Sequence, residues 1–495
     1  MKSRRDHAAP PSGDGPIFAA LIALLVWLPL PAGSHSQVAA HLDGAAIFLL
    51  LALWAVQAAR GKVQVPPLWR LRWVFALWLA WLAWLAFQLL PLSPEPLAQW
   101  SPASAAAQQT AARTADAPVW GSITLSPSAS MSALLSSAAL AGLYLLTILC
   151  VRSTARARTV LVALVVSGLF EAAYGALMTM SGAEYGFFVK KSSYLGFATG
   201  TFINRNHLAG YLELCGAAAV ALVLADLGGG AALDWRARAR KLVELAFSAK
   251  FRVRVCLAVM VVGVVLTQSR MGNTAFFSAL TASGLIYVLL RERRYFLPAL
   301  LLFASFFAVD LLIVHKYFGL EKVVQRIEST DVMREGRVTL LEEIMPALPV
   351  YARSGAGLGA FIPAYMPYRD ADNWQFFDHA HNDYVEFLIE VGLPGAALLA
   401  VLAGVHMLHA LRVLAKRKRR SAAAAVFAGM MGLIALAIHA AVEFNLQIPA
   451  ISATLVVLMA VGARTSEQSR RRRRHSAAAP EGEGPQDSTR GLPAV

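Results

Sequence analysis

Apolar runs recur from one end of the chain to the other, each closed by a short polar break. Twelve of them approach the roughly 20 residues needed to cross a hydrocarbon core. They cover residues 15–33, 42–59, 72–91, 129–150, 158–180, 206–228, 253–268, 273–290, 295–314, 389–413, 421–440 and 445–462. All are expected to be helices, because a lone strand in lipid leaves its backbone groups unsatisfied. The seventh run is short. It also reads, with the eighth, as a pair broken around "SRMGN", Ser269 to Asn273.

Three stretches fall outside this rhythm. Residues 92–128 are rich in Ala, Ser, Pro and Gln and read as a weakly structured loop. Residues 315–388 are long, moderately charged and aromatic, with a helical pattern over 336–348. A loop of this length with clustered polar residues usually carries function. From 463 to 495 the chain is basic, then rich in Pro, Gly, Ser and Glu, and reads as a disordered tail. The expected organisation is nine spans in 1–314, a large loop at 315–388, three spans in 389–462 and the tail.

Composition agrees with a polytopic all-α membrane bundle. Of the 495 residues 57% are hydrophobic and only 15% charged, against about 25% charged in ordinary soluble domains. The formal net charge of +15 raises the question of nucleic acid. Its distribution excludes that partner. Arg and Lys gather in alternate connections: Arg60, Lys62, Arg70 and Arg72; Arg152, Arg156 and Arg158; Arg236 to Arg254; "RERR" at 291–294; "KRKRR" at 416–420; and "RRRRR" at 470–474. The positive-inside rule and anionic lipid account for these clusters. Both termini are then cytoplasmic, and the loop 315–388 lies outside. Cys150, Cys215 and Cys256 lie in or at the ends of apolar runs and show no metal spacing or disulfide framework.

Four polar constellations map to the outer side. The first is "TFINRNHLAGYLEL" from Thr201, where Asn204, Arg205, Asn206 and His207 open the sixth span. Asn204 or Asn206 suits an N-cap. An Arg beside orphan N–H groups makes an anion-favouring corner; a snorkelling Arg is the plainer reading. The second is "TQSRMGN", where Arg270 sits between two apolar runs. A cation there needs water, an anion or a partner such as Glu213 or Glu443. The third is "HAHNDYVEF". Asn382 or Asp383 caps the next helix, with Glu386 completing a capping box from Asp383. Neither role explains His379 and His381, and imidazole suits general-base work near neutral pH. The pair does not form HExxH and has no evident third ligand, so no metal is expected. The fourth is "HAAVEFNLQIPA", with His439, Glu443, Asn445 and Gln447 around a hairpin. His439 and Glu443 share a face if the eleventh helix extends that far. The glycines of "SGAGLGAF" lack a Walker lysine and read as a tight turn.

Together, "TFINRNHLAGYL", "TQSR", "GRVTLLEEIMPALPVYARSGAGLGAF", "HAHNDYVEFLIEVGLPG" and "EFNLQIPA" resemble the bacterial O-antigen ligase and Wzy-type polymerase superfamily. The likeness runs from about residue 195 to 460, with the motifs in family order. It implies a GT-C-like bundle that transfers glycan at the periplasmic face of the inner membrane. The donor implied is a glycan on undecaprenyl diphosphate. The acceptor implied is lipid A–core, a second lipid-linked glycan or another hydroxyl. The reaction implied is an inverting transfer without metal or other cofactor, in the company of membrane lipids and polysaccharide assembly proteins. Arg205, Arg270, Arg337 and His381 fall on the family's functional positions. His379, Asn206, His207, Asn382, Asp383, His439 and Glu443 fall around them as support. Two other classes fit the polar residues: a transporter of anionic or lipid-linked glycan, and a scaffold of an export complex.

Overall fold

The computed structural model describes residues 13–115, 121–187, 189–226, 249–293, 296–297, 300–301, 332–371, 375–416 and 419–477. The helices in chain order are α1 (Gly15–Trp27), α2 (Gln37–Ala59), α3 (Arg72–Leu89), α4 (Pro94–Trp100), α5 (Pro102–Ala115), α6 (Pro127–Cys150), α7 (Thr154–Ser181), α8 (Arg205–Asp226), α9 (Ala249–Leu266), α10 (Arg270–Arg291), α11 (Val332–Ile344), α12 (Ala347–Tyr351), α13 (Phe361–Tyr365), α14 (Asp383–Ala415), α15 (Arg420–His439) and α16 (Pro449–Ala477). Among the described residues, Tyr185–Gly186 and Val189–Lys190 form one small antiparallel pair. The protein is an all-α polytopic membrane protein.

Nine helices among the described residues have the length and apolarity to cross a membrane: α2, α3 with the turn before it, α6, α7, α8, α10, α14, α15 and α16. The shorter α1 and α9 coincide with the first and seventh expected spans. The ninth expected span lies largely outside the described residues.

Several expected boundaries move. The stretch 92–128 is not a loose loop. It holds α4 and α5, packs Leu97, Ala105 and Ile123 into a small core, and closes with a bridge between Leu92 and Gly121. The tail expected from residue 463 is helical to Ala477, because α16 continues without a break. Arg464 and Glu467, an i,i+3 ion pair, are buried on that extension. The helix expected over 336–348 ends at Ile344, and α12 starts anew after Pro346.

Three helices form the centre. In α16, α8 and α15, 89%, 78% and 72% of the apolar window is buried, against 28% in α2 and in α3. Small residues allow this. A Cβ on Gly168 of α7 would stand 2.4 Å from the Cys215 Cβ of α8, and one on Gly272 of α10 would stand 2.5 Å from the Ala209 Cβ. Contacts this close need glycine, and small-residue seams are how helices associate without a hydrophobic drive between them.

The two ends of the bundle differ in chemistry. At one end Arg156 grips Asp14 through both oxygens at 3.0 Å, Arg158 grips Asp226, and Arg70 and Arg464 meet Glu467. The other end, about 33 Å away along α8, gathers the starts of α8, α10 and α14 and the α15–α16 turn.

The tenth span starts at Asp383, six residues before its apolar run. It is two helices joined at Gly392, whose φ of 64° and ψ of −177° are open to glycine alone. Pro394 follows the break. The freed carbonyls are answered from elsewhere. The Ala356 and Gly357 amides donate to Ile389 and Glu390, Gln88 Nε2 donates to Glu390 O, and Trp84 Nε1 donates to Val391 O. The glycine-rich "SGAGLG" stretch is thus a buried clasp around the broken helix. Gly355, Gly357 and Gly359 all have positive φ, and a Cβ on Gly355 would stand 2.2 Å from Glu390 O.

Candidate functional site

The first turn of α14 is built on Asn382, whose Oδ1 accepts from the Tyr384 and Val385 amides. That cap leaves Asp383 and Glu386 free for other work, and no capping box joins them. Asp383 Oδ2 accepts from the Leu446 amide at 3.0 Å, and the Asp383 amide donates to Ala440 O at 2.9 Å. Tyr384 Oη adds a bond to Ala437 O. The start of α14 is therefore fastened to the α15–α16 turn, the segment that carries Glu443 and Phe444. Helix α15 ends at His439, so His439 and Glu443 do not share a helical face.

Phe444 is the centre of a group of imidazoles. The His379 ring stacks on it at 4.1 Å with the planes 15° apart. His207 and His381 meet the same ring edge-on at 4.6 and 5.0 Å. Each histidine also faces a carboxylate. His379 Nδ1 donates to Glu386 Oε1 at 2.6 Å, while the Ala380 amide donates to Glu386 Oε2. His381 Nδ1 donates to Glu443 Oε2 at 3.3 Å. His207 Nε2 lies 3.9 Å from the same oxygen, and Asn206 Nδ2 donates to Glu443 Oε1. Glu386 and Glu443 are each about 1% exposed or less, whereas His379 and His381 remain reachable, at 21% and 15%. Burial opposes charge on His379, but the Glu386 carboxylate outweighs it and lifts the pKa from 6.5 to about 9. His379 is a cation at neutral pH. His381 takes φ +49°, a conformation disfavoured for side chains other than glycine.

The arginines divide. Arg205 opens α8 after Asn204, whose Oδ1 accepts from the Asn206 amide. Its guanidinium lies 4.1 Å from the Phe197 ring and 5.9 Å from Tyr194. The loop bearing both rings is closed by Glu184, which accepts from Lys191 Nζ and from the Gly196 amide. Arg270 opens α10 just after the Ser269 cap and is exposed. It forms no ion pair with Glu213 or Glu443, the partners sequence suggested. Glu213 instead takes a bond from His439 Nδ1 at 2.8 Å, with both groups fully buried. Because Gly272 packs on Ala209, one turn from Asn206, Arg270 and the imidazoles share one end of the bundle. Arg337 lies on α11, and its side chain is outside the described residues.

A family model described as O-antigen ligase, Wzy_C, matches residues 255–400. The chain carries an O-antigen ligase family domain. That likeness supports, in general terms, a glycan transfer of the O-antigen ligase or polymerase type. No curated protein matches the chain. The ligase-family domain contributes Arg270, Arg337, His379, His381, Asn382 and Asp383, while Arg205, Asn206, His207, His439 and Glu443 come from outside the matched segment.

Two residues that sequence reasoning did not select as site residues stand in this group: Glu386, expected only in a capping box, and Phe444, one aromatic among many. Only Glu386 left a usable signal. It sits one helical turn from Asp383 and from Glu390, and all three carboxyls are buried on one side of the first half of α14.

Proposed function

We propose that this end of the bundle moves a glycan from a polyprenyl diphosphate to an acceptor hydroxyl on the periplasmic face. The observation that carries the reading is the His381–Glu443 pair set beside the His379 cation on one aromatic ring, with Arg205 and Arg270 at the same end. The basic clusters at the far end of the bundle support an outward-facing site.

The roles follow from the chemistry. His381 accepts the acceptor's proton through Nε2, while Glu443 holds Nδ1–H and stabilises the imidazolium that forms. The acceptor oxygen attacks the anomeric carbon from the side opposite the diphosphate, and the bond from that carbon to the phosphate oxygen breaks. Configuration inverts, and the proton taken by His381 is passed to the departing diphosphate or to water. His379, Arg205 and Arg270 face the charge that grows on the leaving group. Arg337, on α11, is a further diphosphate contact only on the family likeness. Diphosphate is a competent leaving group, so the two-carboxylate arrangement of glycosidases is not needed.

The test is turnover of lipid-linked glycan by purified Arg270→Ala and His381→Ala. Both variants are expected to fold as the parent does. Loss of the base is expected to slow transfer roughly a hundred- to ten-thousand-fold. Wild-type turnover in both, with the fold intact, overturns the assignment. Deletion of the gene separates the two kinds of transfer. Single repeats left on the acceptor indicate a polymerase, and full-length glycan stranded on the lipid carrier indicates a ligase.

A further inference from the structure

The turn Thr199–Asn204 delivers Arg205, Asn206 and His207 to the site, and one acid of α7 holds it. Glu171 and Thr201 are both buried. The Thr201 amide donates to Glu171 Oε2 at 2.8 Å. Thr201 Oγ1 lies 2.9 Å from Glu171 Oε1 and 2.7 Å from the Pro29 carbonyl oxygen, which belongs to the connector between α1 and α2. The fit is close. Gly200 takes φ +56°, and a Cβ on it would stand 2.4 Å from Glu171 Oε2. A Cβ on Gly175, one turn further along α7, would stand 2.9 Å from the Gly200 nitrogen.

The two distances at Thr201 Oγ1 fix where a proton sits. The hydroxyl has one hydrogen to give, and two oxygens stand within hydrogen-bond length of it. Pro29 O can only accept, so it takes the hydroxyl hydrogen. The contact with Glu171 Oε1 then needs a hydrogen from the acid. Oε1–H supplies it, while Oε2 accepts from the Thr201 amide. One oxygen donates and the other accepts, which is the pattern of a neutral carboxylic acid. The surroundings agree. Among the described residues no Lys, Arg or His forms an ion pair with Glu171, and an unpaired carboxylate buried in a membrane-spanning helix is costly.

We infer that Glu171 is a neutral acid that, through the Thr201 turn, positions Arg205 for the lipid-linked diphosphate. The positioning rests on the donor reading above, and the protonation stands apart from it. The turn passes the constraint on without slack. The Phe202 amide donates to Thr199 O, and Asn204 O accepts from the His207 amide in the first turn of α8. The Ala198 amide donates to Leu266 O, so the same segment is also fixed against the end of α9, ahead of Arg270. Glu171 is a positioning residue, acting through the guanidinium that the turn presents.

Two measurements on the full chain in phosphatidylcholine nanodiscs test this. The infrared spectrum of the wild type minus that of Glu171→Gln, at neutral pH, is expected to show the C=O stretch of a protonated carboxylic acid. A carboxylate band in its place overturns the neutral acid. Binding of farnesyl diphosphate tests the positioning. Arg205→Ala is expected to weaken it about tenfold, and Glu171→Leu by a similar factor. Glu171→Gln, which keeps one acceptor and one donor, is expected to recover most of that loss. Added to Arg205→Ala, Glu171→Leu is expected to cost little more, because the group it positions is gone. Losses that multiply in the double variant indicate a general structural effect and overturn the positioning. Thr201→Val removes only the hydroxyl, carries the same expectations and replaces Glu171→Leu if that variant does not fold. If Arg205→Ala weakens binding while Glu171→Leu and Thr201→Val do not, the positioning is overturned and the donor reading stands. If Arg205→Ala leaves binding unchanged, the donor reading has failed at Arg205 and the positioning falls with it.

Discussion

His379 and His381 are two residues apart, and their carboxylate partners separate their chemistry. Glu386 reaches back one turn to His379 and keeps it protonated up to about pH 9. Because the folded pKa lies above the ordinary 6.5, this pair contributes stability that is complete below about pH 6.5 and is lost as pH rises through about 9. Transfer is expected to fall over the same alkaline range if the cation faces the leaving diphosphate. Glu386→Gln removes the opposing charge and leaves burial in control, so the imidazole becomes neutral at lower pH. The alkaline limb of the rate profile should then move toward neutrality. An unmoved limb in the folded variant would separate His379 from the chemistry. The carboxylate at 386 comes from the first turn of α14 and that at 443 from the α15–α16 turn, and neither is marked by spacing as a histidine partner.

Helix α14 shows why an element must be read with what packs on it. Its first half, Asp383–Val391, carries the Asn382 cap and three buried carboxyls, and its second half crosses the bilayer as an apolar rod. Gly392 separates them, and the clasp at 352–361 satisfies the carbonyls that the break releases. A Cβ on Gly392 would stand 2.8 Å from the Gly355 nitrogen and 3.0 Å from Ala352 O. Gly392→Ala therefore combines a forbidden φ with a backbone clash. It should lower stability by about 1–3 kcal/mol, measured by thermal unfolding in detergent, and should reduce transfer by misplacing His381. Full stability in that variant would mean that the break is not the fixed joint described here. The sequence "EVGLPG" signals a turn through its glycines and proline. That the turn lies inside a continuous helical run is decided by Gln88 and Trp84 of α3, which supply the missing donors.

Across the whole molecule the polar chemistry is sorted to opposite ends of a helix bundle. Buried Asp14 and Glu467, with half-buried Asp226, hold arginines at one end, and imidazoles, carboxylates and the openings of α8, α10 and α14 occupy the other. Orientation can be tested directly. With Cys256 first replaced, since Cys150 and Cys215 are buried, a cysteine at position 270 should react with an impermeant maleimide in spheroplasts. One at position 60 should react only after the membrane is opened. The reverse result would turn the bundle over and remove the periplasmic reading. Labelling of position 270 alternately from both sides would favour the transporter.

The order of apolar runs was sufficient to place nine of the twelve expected spans as helices long and apolar enough to cross a membrane among the described residues, because crossing lipid requires about 20 apolar residues whatever the partners are. The same rule could not place the start of α14 or the end of α16, where buried charged residues extend helices beyond their apolar cores. The sequence also marked His379, His381, Arg205 and Arg270 as groups too polar for their surroundings, since isolated charge near lipid is costly. That Glu443 serves His381 depended on segments more than 60 residues apart being brought together. Pairings of that kind are set by helix packing and by turn geometry, and no local spacing encodes them.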